Sequence, residues 1–504
     1  MAIKIQSGSI PPSVISTSET IKKAGFEAYL VGGCVRDTLL GKKPKDWDIT
    51  TNANPEQIMA LFPDHFYENK FGTVGVVFES TPLDVQGIPD LSLKVIEVTP
   101  YRIEEGYSDR RRPDSVTWSP NLEDDLKRRD FSINAIALDV DGEGNPIKLV
   151  DLYDGQSDLK KGLIKAVGDA DKRFQEDALR MMRAVRLSSQ LGFAIESETL
   201  ASIQRNKALL SHVAKERIRE EFERILMSEQ PMTALLVAEK LGILHYFAPE
   251  LEQSIGIEQN KAHSFDVWTH LLKSLQHAAD KSWPLEIRIA ALFHDIGKPA
   301  TRRRDESKNE WTFYGHEVVG ARMTQKILEN LRFSNKIIEK VVILVRWHMF
   351  FSDTEQISLS AVRRMIRNVG QENIWDLMNL RICDRIGTGR PKESPYRLRK
   401  YHAMIEEALR APISVGMLKI NGAKIMEVTG DAPGPKIGFI LHALLEETLE
   451  DPDKNTPEYL ESRTLDLNKL TIEELKKKGG EGREKKEKAE EEALSEIRKK
   501  HWVE

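Results

Sequence analysis

At 504 residues, with 40% apolar and 30% charged residues, the chain exceeds what one hydrophobic core organises and is expected to form two or more globular domains. Its 74 Lys and Arg against 79 Asp and Glu leave a formal net charge of -5, which excludes a global basic field for a polyanion and confines nucleic-acid contact to local patches. Two cysteines, Cys34 and Cys383, exclude a disulfide framework and a Cys-type zinc site; with no signal-like N-terminus and no apolar run long enough to cross a bilayer, a cytoplasmic protein is expected.

The first third alternates helical and strand patterns. Thr17 to Ala24 reads as the end of a short helix, and the apolar stretch Ala28 to Val31 leads into Gly32-Gly33. Asn54-Pro55-Glu56-Gln57 combines an N-cap, Pro at the first helical position and Gln at the third, so a helix is expected through Ile58, Met59 and Phe62. Val74 to Phe78, Leu93 to Val98 and Ala135 to Val140 read as strands, making a small mixed α/β head. From about Ala170 helix-forming runs take over, among them Asp177 to Gln190, Ala214 to Leu226 and Thr233 to Leu241, and the rest reads as almost wholly helical. From about Thr471 a Lys- and Glu-rich run predicts a solvated helix or disorder.

Leu30-Val31-Gly32-Gly33-Cys34-Val35-Arg36-Asp37 precedes Asp46-Trp47-Asp48. A strand that ends in two glycines and leads into a helix lets backbone N–H groups approach a phosphate, since no Cβ intervenes. Asp46 and Asp48 alternate on an extended stretch, so their carboxylates share a face and suit Mg²⁺ bound to a nucleotide's phosphates. Glu97, at the end of a predicted strand, is a candidate third carboxylate. Gly-Gly, Arg-Asp and Asp-x-Asp in this order resemble the active-site motif of the nucleotidyltransferase superfamily that includes DNA polymerase β. The form GGxVRD resembles its class II tRNA nucleotidyltransferase and bacterial poly(A) polymerase branch. Leu126 to Ala135 (LKRRDFSINA) is similar to that branch's RRDFTINA motif, with Ser132 in place of Thr, and implies that Arg129 and Asp130 contact the incoming nucleotide. Arg102 to Val116 resembles the family's flexible loop, which takes part in the switch from C to A addition.

Phe174 to Arg183 (FQEDALRMMR) resembles the family's EDxxR motif. On one continuous helix Glu176 and Arg180 stand at i and i+4, while Asp177, Arg180 and Arg183 follow at i+3 steps, so acceptor and donors share a face. Cytosine and adenine each present an amino donor beside a ring-nitrogen acceptor. Asp177 accepting from the amino group and Arg180 donating to the ring nitrogen would select CTP and ATP, leaving UTP and GTP with like groups opposed. In the family this motif is the protein template.

Six of the 12 histidines lie between His263 and His348. Ala291 to Lys298 (ALFHDIGK) resembles the HD phosphohydrolase motif, with His270 upstream and Asp384 downstream; His316 and His348 stand where that family's two-metal members place extra histidines. The resemblance implies a metal pair, with His294-Asp295 between the ions and a water positioned for attack on phosphorus. Mixed His and carboxylate ligands do not choose between Mn²⁺, Ni²⁺, Fe and Mg²⁺. His263 and His277 fit structural roles as well as ligand roles.

The resemblance runs from about residue 28 to 462 and implies an α+β protein. Its parts would be a polymerase-β-like nucleotidyltransferase head (1–145), an all-helical neck and body with the base-reading motif (146–262), a helical HD domain (263–390), a helical tail region (391–462) and a charged tail (463–504). It implies transfer of CMP and AMP from CTP and ATP to the tRNA 3′ end without a nucleic-acid template, with Mg²⁺ at the head and phosphatase, 2′,3′-cyclic phosphodiesterase or nucleotidase chemistry at the HD site. The alternatives are a poly(A) polymerase, a partial CC- or A-adding enzyme, and an HD phosphohydrolase with a degenerate RNA-binding head. Arg110-Arg111-Arg112, Lys127-Arg128-Arg129, and Arg363-Arg364 with Arg367 are candidate basic patches for RNA.

Overall fold

The computed structural model describes residues 8–68, 72–106, 115–260, 264–307, 309–349 and 357–479. The chain divides into two compact units, Met1–Phe247 and Ala248–Glu504.

The first unit contains the strands β1 (Ala28–Val31), β2 (Asp48–Thr51), β3 (His65–Glu68), β4 (Thr73–Val77), β5 (Val95–Pro100), β6 (Arg102–Glu105), β7 (Ser115–Trp118), β8 (Ile136–Val140) and β9 (Pro146–Asp151). Seven of them make one sheet in the order β3-β4-β5-β2-β1-β8-β9, while β6 and β7 pair as a separate ribbon. β2 and β5 run parallel and the other neighbours in the large sheet antiparallel, with Val31 opposite Asp48 and Asp48 opposite Glu97. Along β5, Ile96 and Val98 are buried and Glu97 is exposed, the two-residue period of a half-buried strand. Val31, Tyr101, Leu122, Leu126 and Ala137 form a core cluster.

The helix Pro55–Leu61 starts as its sequence requires. Asn54 Oδ1 accepts from Gln57 N and Gln57 Oε1 accepts from Asn54 N, both at 2.9 Å. It stops one residue short of expectation, since Phe62 has turned to extended backbone. Leu93 also departs from the predicted strand: it closes a 3₁₀ turn, Leu91–Leu93, nucleated by the Asp90 carboxylate accepting from Ser92 N.

A larger departure lies at Asp177. The run predicted as one helix is two, Ala170–Glu176 and Leu179–Leu191, with Asp177 extended at φ -146° between them. Its carboxylate accepts from Leu179 N and is gripped by Arg217, so it caps the second helix instead of continuing the first. Nor is the remainder wholly helical, for the short pairs β10 (Leu163–Ile164) with β11 (Ala194–Ile195) and β12 (Arg303–Asp305) with β13 (Glu310–Thr312) interrupt it.

The second unit packs the helices Val267–Asp280, Leu285–Phe293, His316–Asn330, Asn335–Trp347 and Ile374–Gly387 around a core that includes Leu271, Leu292, Leu344 and Leu380. A Cβ on Gly297 would lie 2.3 Å from His316 O and 2.6 Å from Gly320 N. Only glycine lets the turn after Asp295 rest backbone to backbone on the helix His316–Asn330.

Arg363, Arg364 and Arg367 do not form the basic patch expected of them. Arg363 donates to Leu449 O and Glu450 O, while Arg364 and Arg367 pair with Glu446 and Arg364 also with Glu450. They bind the helix Leu359–Val369 to the helix Pro435–Glu450. Residues 472–479 form a further helix with Leu475 buried. Residues 480–504, Arg110 to Arg112 and His263 lie outside the described residues. Among the described residues no helix is long and apolar enough to cross a membrane.

Candidate functional site

β1 ends at Val31, and Gly32 then adopts φ 85° and ψ -137°, a backbone state open to glycine, before the helix Gly33–Leu39 begins. A Cβ on Gly32 would stand 3.3 Å from Arg129 Nη1 and 3.4 Å from Asp48 Oδ2; one on Gly33 would stand 3.6 Å from Arg36 Nη2 and 3.9 Å from Asp46 Oδ1. The two glycines thus keep open a space bounded by two carboxylates and two guanidinium groups. Asp46 and Glu97 are exposed and Asp48 is half-buried. Burial, then Asp46, then Glu97 push the Asp48 carboxyl up to about 7, with Arg129 opposing them. These hard oxygen donors repel one another, a repulsion that a divalent cation would relieve, although among the described residues only groups in the second unit bring three donors within 4.8 Å.

Arginines surround this cluster in fixed positions. Arg36 grips Asp37 through Nε and Nη2 at 2.8 and 2.9 Å and donates from Nη1 to Asn134 Oδ1. Asn134 in turn donates to Asp130 Oδ1, and Asp130 Oδ2 accepts from Arg183 at 2.7 Å. Asp130 is buried, yet Arg183 and Asn134 hold its carboxyl well below the usual range. The buried Asp125 accepts from Arg128 at 2.6 Å on one oxygen and from Arg129 at 2.9 Å on the other. Burial raises its carboxyl, but the two guanidinium groups outweigh this and hold it at about 2.

The EDxxR segment differs from a single helical ladder. Arg180 donates to Glu176 Oε2 at 2.7 Å and to the carbonyls of Arg173 and Arg128, while Asp177 is held bidentately by Arg217 at 3.0 and 2.7 Å. Glu176, Asp177, Arg180 and Arg183 are all half-buried. The carboxylate and the guanidinium therefore stand in separate clamps, each oriented by a third group. Sequence reasoning missed Asp125, Asn134 and Arg217. Asp125 is signalled by its spacing of three and four residues from Arg128 and Arg129, whereas nothing local marks Arg217, 40 residues from its partner.

In the second unit, His270, His294, Asp295 and Asp384 offer ligand atoms within 4.8 Å of one another, as do Asp295, His316 and His348. Asp295 belongs to both groups. Its Oδ2 lies 3.1 Å from His270 Nε2 and 3.4 Å from His294 Nε2, and its Oδ1 lies 3.2 Å from His316 Nε2 and 3.5 Å from His348 Nε2. The Nδ1 atoms of His294, His316 and His348 sit 2.9, 2.7 and 2.7 Å from the carbonyls of Ala291, Phe313 and Val345. A carbonyl only accepts, so Nδ1 carries a proton in each ring and Nε2 is the atom turned toward Asp295. His316 and His348 then face each other Nε2 to Nε2 at 3.3 Å, acceptor against acceptor, an arrangement that a bound cation satisfies.

Protons and a cation compete for such a donor set. Burial disfavours an imidazolium at His294, but Asp295 and Asp384 push it up to about 10; burial takes His348 down to about 4. Against the cost of burial, Lys298 and His294 hold Asp295 well below the usual carboxylate range, and Arg381 with His294 does so for Asp384. The buried Lys298, which sequence reasoning passed over, lies 2.6 Å from Asp295 Oδ2. His277 stands outside both groups, beside Glu393 and Trp283.

The chain matches three family models: "Poly A polymerase head domain" over residues 28–165, "Probable RNA and SrmB- binding site of polymerase A" over 192–255, and "HD domain" over 262–386. It is 34% identical over 435 residues to the CCA-adding enzyme of Lactiplantibacillus plantarum, covering 85% of this chain and 89% of that one. It is 32% identical over 462 residues to the CCA-adding enzyme of Geobacillus thermodenitrificans, covering 89% and 96%. The structure of the Bacillus stearothermophilus CCA-adding enzyme in complex with CTP superimposes with a TM-score of 0.67 at 28% identity, over 91% of this chain and 98% of that one. The Thermotoga maritima CCA-adding enzyme complexed with tRNA_CCA shares the fold, with a TM-score of 0.51 at 19% identity over 90% and 94%.

Two outcomes follow from this geometry. Asp125→Asn deletes one buried charge and strands two guanidinium groups, so urea unfolding at pH 7 should show a loss of about 3 kcal/mol or more. Because Asp125 is held at about 2 against an ordinary 3.8, the unfolded chain binds the extra proton between those values. Its contribution is complete above pH 3.8 and is lost as the pH falls through 2, so the gap between wild type and variant should close across that window. In the second unit, metal analysis of dialysed protein should find that Asp295→Asn loses both equivalents of divalent cation. His270→Ala and His316→Ala should each lose one; identical losses in all three variants would mean a single ion.

Proposed function

Since the chain belongs to the CCA-adding enzyme family, we propose that it adds CMP and AMP from CTP and ATP to the 3′ end of tRNA without a nucleic-acid template, and that an HD centre hydrolyses phosphoesters separately. The observation that carries the first activity is the register of β1, β2 and β5, which sets Asp48 between the Gly32-Gly33 turn and Glu97.

The 3′-hydroxyl oxygen of tRNA bonds to the α-phosphorus of the nucleotide while the bond to the bridging oxygen breaks, and pyrophosphate leaves. Asp46 and Asp48, with Glu97 beside them, hold Mg²⁺, which when bound supplies Lewis-acid stabilisation of the phosphate charge. Gly32 and Gly33 admit the triphosphate close to backbone N–H groups, and Arg36 and Arg129 face its charge from positions set by Asp37, Asn134 and Asp125. Asp130 holds Arg183 and receives the sugar side of the nucleotide. Asp177 accepts from the amino group common to cytosine and adenine while Arg180 donates to the neighbouring ring nitrogen. Arg217 and Glu176 keep that pair in orientation, so that uracil and guanine would leave it unsatisfied.

The domains are assigned as head 1–145, neck and body 146–262, HD domain 263–390, tail region 391–462 and charged tail 463–504. The compartment is the cytoplasm, in keeping with two buried, unbridged cysteines. At the HD centre, His270, His294, Asp295 and Asp384 hold one ion and Asp295, His316 and His348 a second, drawn from Mn²⁺, Ni²⁺, Fe or Mg²⁺. The observation that favours this second activity is the sharing of Asp295 by both donor groups.

Purified protein given tRNA that ends at the discriminator base, at -C or at -CC should add C, C and A in turn and stop. Continued A addition would mean a poly(A) polymerase, and failure at one of the three ends a partial enzyme. Replacing Asp46 and Asp48 together with Asn should lower addition by about 10³-fold or more and leave phosphoester hydrolysis intact, whereas His294→Ala should do the reverse. Joint loss of both activities from either change, in folded protein, would refute two separate centres.

A further inference from the structure

The register of the large sheet fixes Asp48 opposite Glu97, but it does not reach Asp46. Residues 42–47, between the helix Gly33–Leu39 and β2, belong to no regular element, and Asp46 is exposed among them. Two neighbours anchor this stretch from inside: Pro44 is buried, and the carbonyl of the buried Trp47 accepts from Glu97 N at 3.3 Å. A third anchor stands at the surface. Three residues before Asp46, the 64% exposed Lys43 places its Nζ 2.9 Å from Asp84 Oδ2 and 2.9 Å from Asp90 Oδ2, both on the connection from β4 to β5.

An exposed lysine paired with one mobile carboxylate contributes little. Here both acceptors are fixed by their own loop. The buried Asp84 accepts on Oδ1 from Gln86 N and Ile88 N at 2.9 and 3.0 Å, and its N donates to Ile88 O at 2.8 Å. Asp90 accepts on Oδ1 from Ser92 N and Ser92 Oγ at 2.9 and 2.7 Å, and its N donates to Pro82 O at 2.9 Å. Each aspartate thus uses one oxygen on the loop and turns the other to Lys43, and two carboxylates brought to one ammonium repel each other without it. The 3₁₀ turn Leu91–Leu93 then leads from Asp90 into β5, which carries Glu97. Lys43 therefore ties the lead-in of β2, where Asp46 stands, to the lead-in of the strand that supplies Glu97.

We propose that Lys43 is a positioning residue: through Asp84 and Asp90 it sets the place of Asp46 relative to Asp48 and Glu97, and with it how strongly the head holds a divalent cation at a bound nucleotide. The inference rests on the nucleotidyltransferase reading, which makes Asp46 a cation ligand. The role is indirect, since the two carboxylates take up the charge of the ammonium.

The test is isothermal titration of the full-length protein with CTP, in Mg²⁺ and in EDTA, beside the Mg²⁺ dependence of C addition to tRNA that ends at the discriminator base. Wild type should bind CTP more tightly in Mg²⁺. Lys43→Met should shrink that advantage about fivefold with the Kd in EDTA unchanged, which reports an intact fold and triphosphate cradle. It should also raise the half-saturating Mg²⁺ concentration by a similar factor and leave KM for tRNA alone, while Lys43→Arg should behave as wild type. Asp84→Asn with Asp90→Asn should match Lys43→Met, and the triple variant should be no worse, because the three side chains act as one unit. An unchanged Mg²⁺ advantage in Lys43→Met, or losses that add in the triple variant, would overturn the positioning role. Weaker CTP binding in EDTA would mean that Lys43 meets the triphosphate itself, which overturns it too. Wild-type protein that binds CTP equally in Mg²⁺ and EDTA would instead remove Asp46 as a cation ligand, and the positioning role with it.

Discussion

Parallel pairing of β2 with β5 sets Asp48 directly beside Glu97, and the Gly32-Gly33 turn brings the end of β1 against the same carboxylate. Like charges gathered at one edge of a sheet are costly, and the cost is visible in the Asp48 carboxyl, pushed up to about 7. Much of the first unit compensates for this concentration of charge. Arg129 and Asp48 border the same space beside Gly32, and Arg129 is itself held by Asp125. The sheet supplies rigid placement, and the carboxylates supply an affinity for cations that the protein's own arginines only partly satisfy.

The same physical logic recurs in the second unit with softer donors. Three imidazoles have their Nδ1 protons engaged by backbone carbonyls, so their Nε2 atoms converge on Asp295. Each carbonyl belongs to the residue three before its histidine, so every ring is oriented by its own helix or turn. The close approach of Gly297 to the backbone of His316 and Gly320 then decides that these separately oriented rings meet. Hydrogen bonds that orient each ring within its own segment support discrimination between ligands by geometry.

Several signals were legible in the chain because they are short-range. The Asn54-Pro55-Gln57 cap, the alternation in β5 and the glycine pair at the end of β1 all express chemistry between residues a few positions apart, and the structure has each of these local features. The helix expected through Asp177 failed for a reason that lies elsewhere in the chain: Arg217, on another helix, competes for the carboxylate and turns it into a cap. Arg363, Arg364 and Arg367 read as a basic patch because Glu446 and Glu450, their partners, lie about 80 residues downstream.

The sequence by itself determined the types of donor and the order in which they occur, since the Gly-Gly, Asp-x-Asp and His-Asp signatures depend on residue identity and local backbone. Tertiary structure alone decided the pairings. Whether Glu97 stands beside Asp48, whether Asp295 serves two groups of ligands, and whether an arginine faces a phosphate or another helix depend on which distant segments pack together. An ion pair's partner is chosen by distance in space, and distance in space becomes defined only when the core has closed.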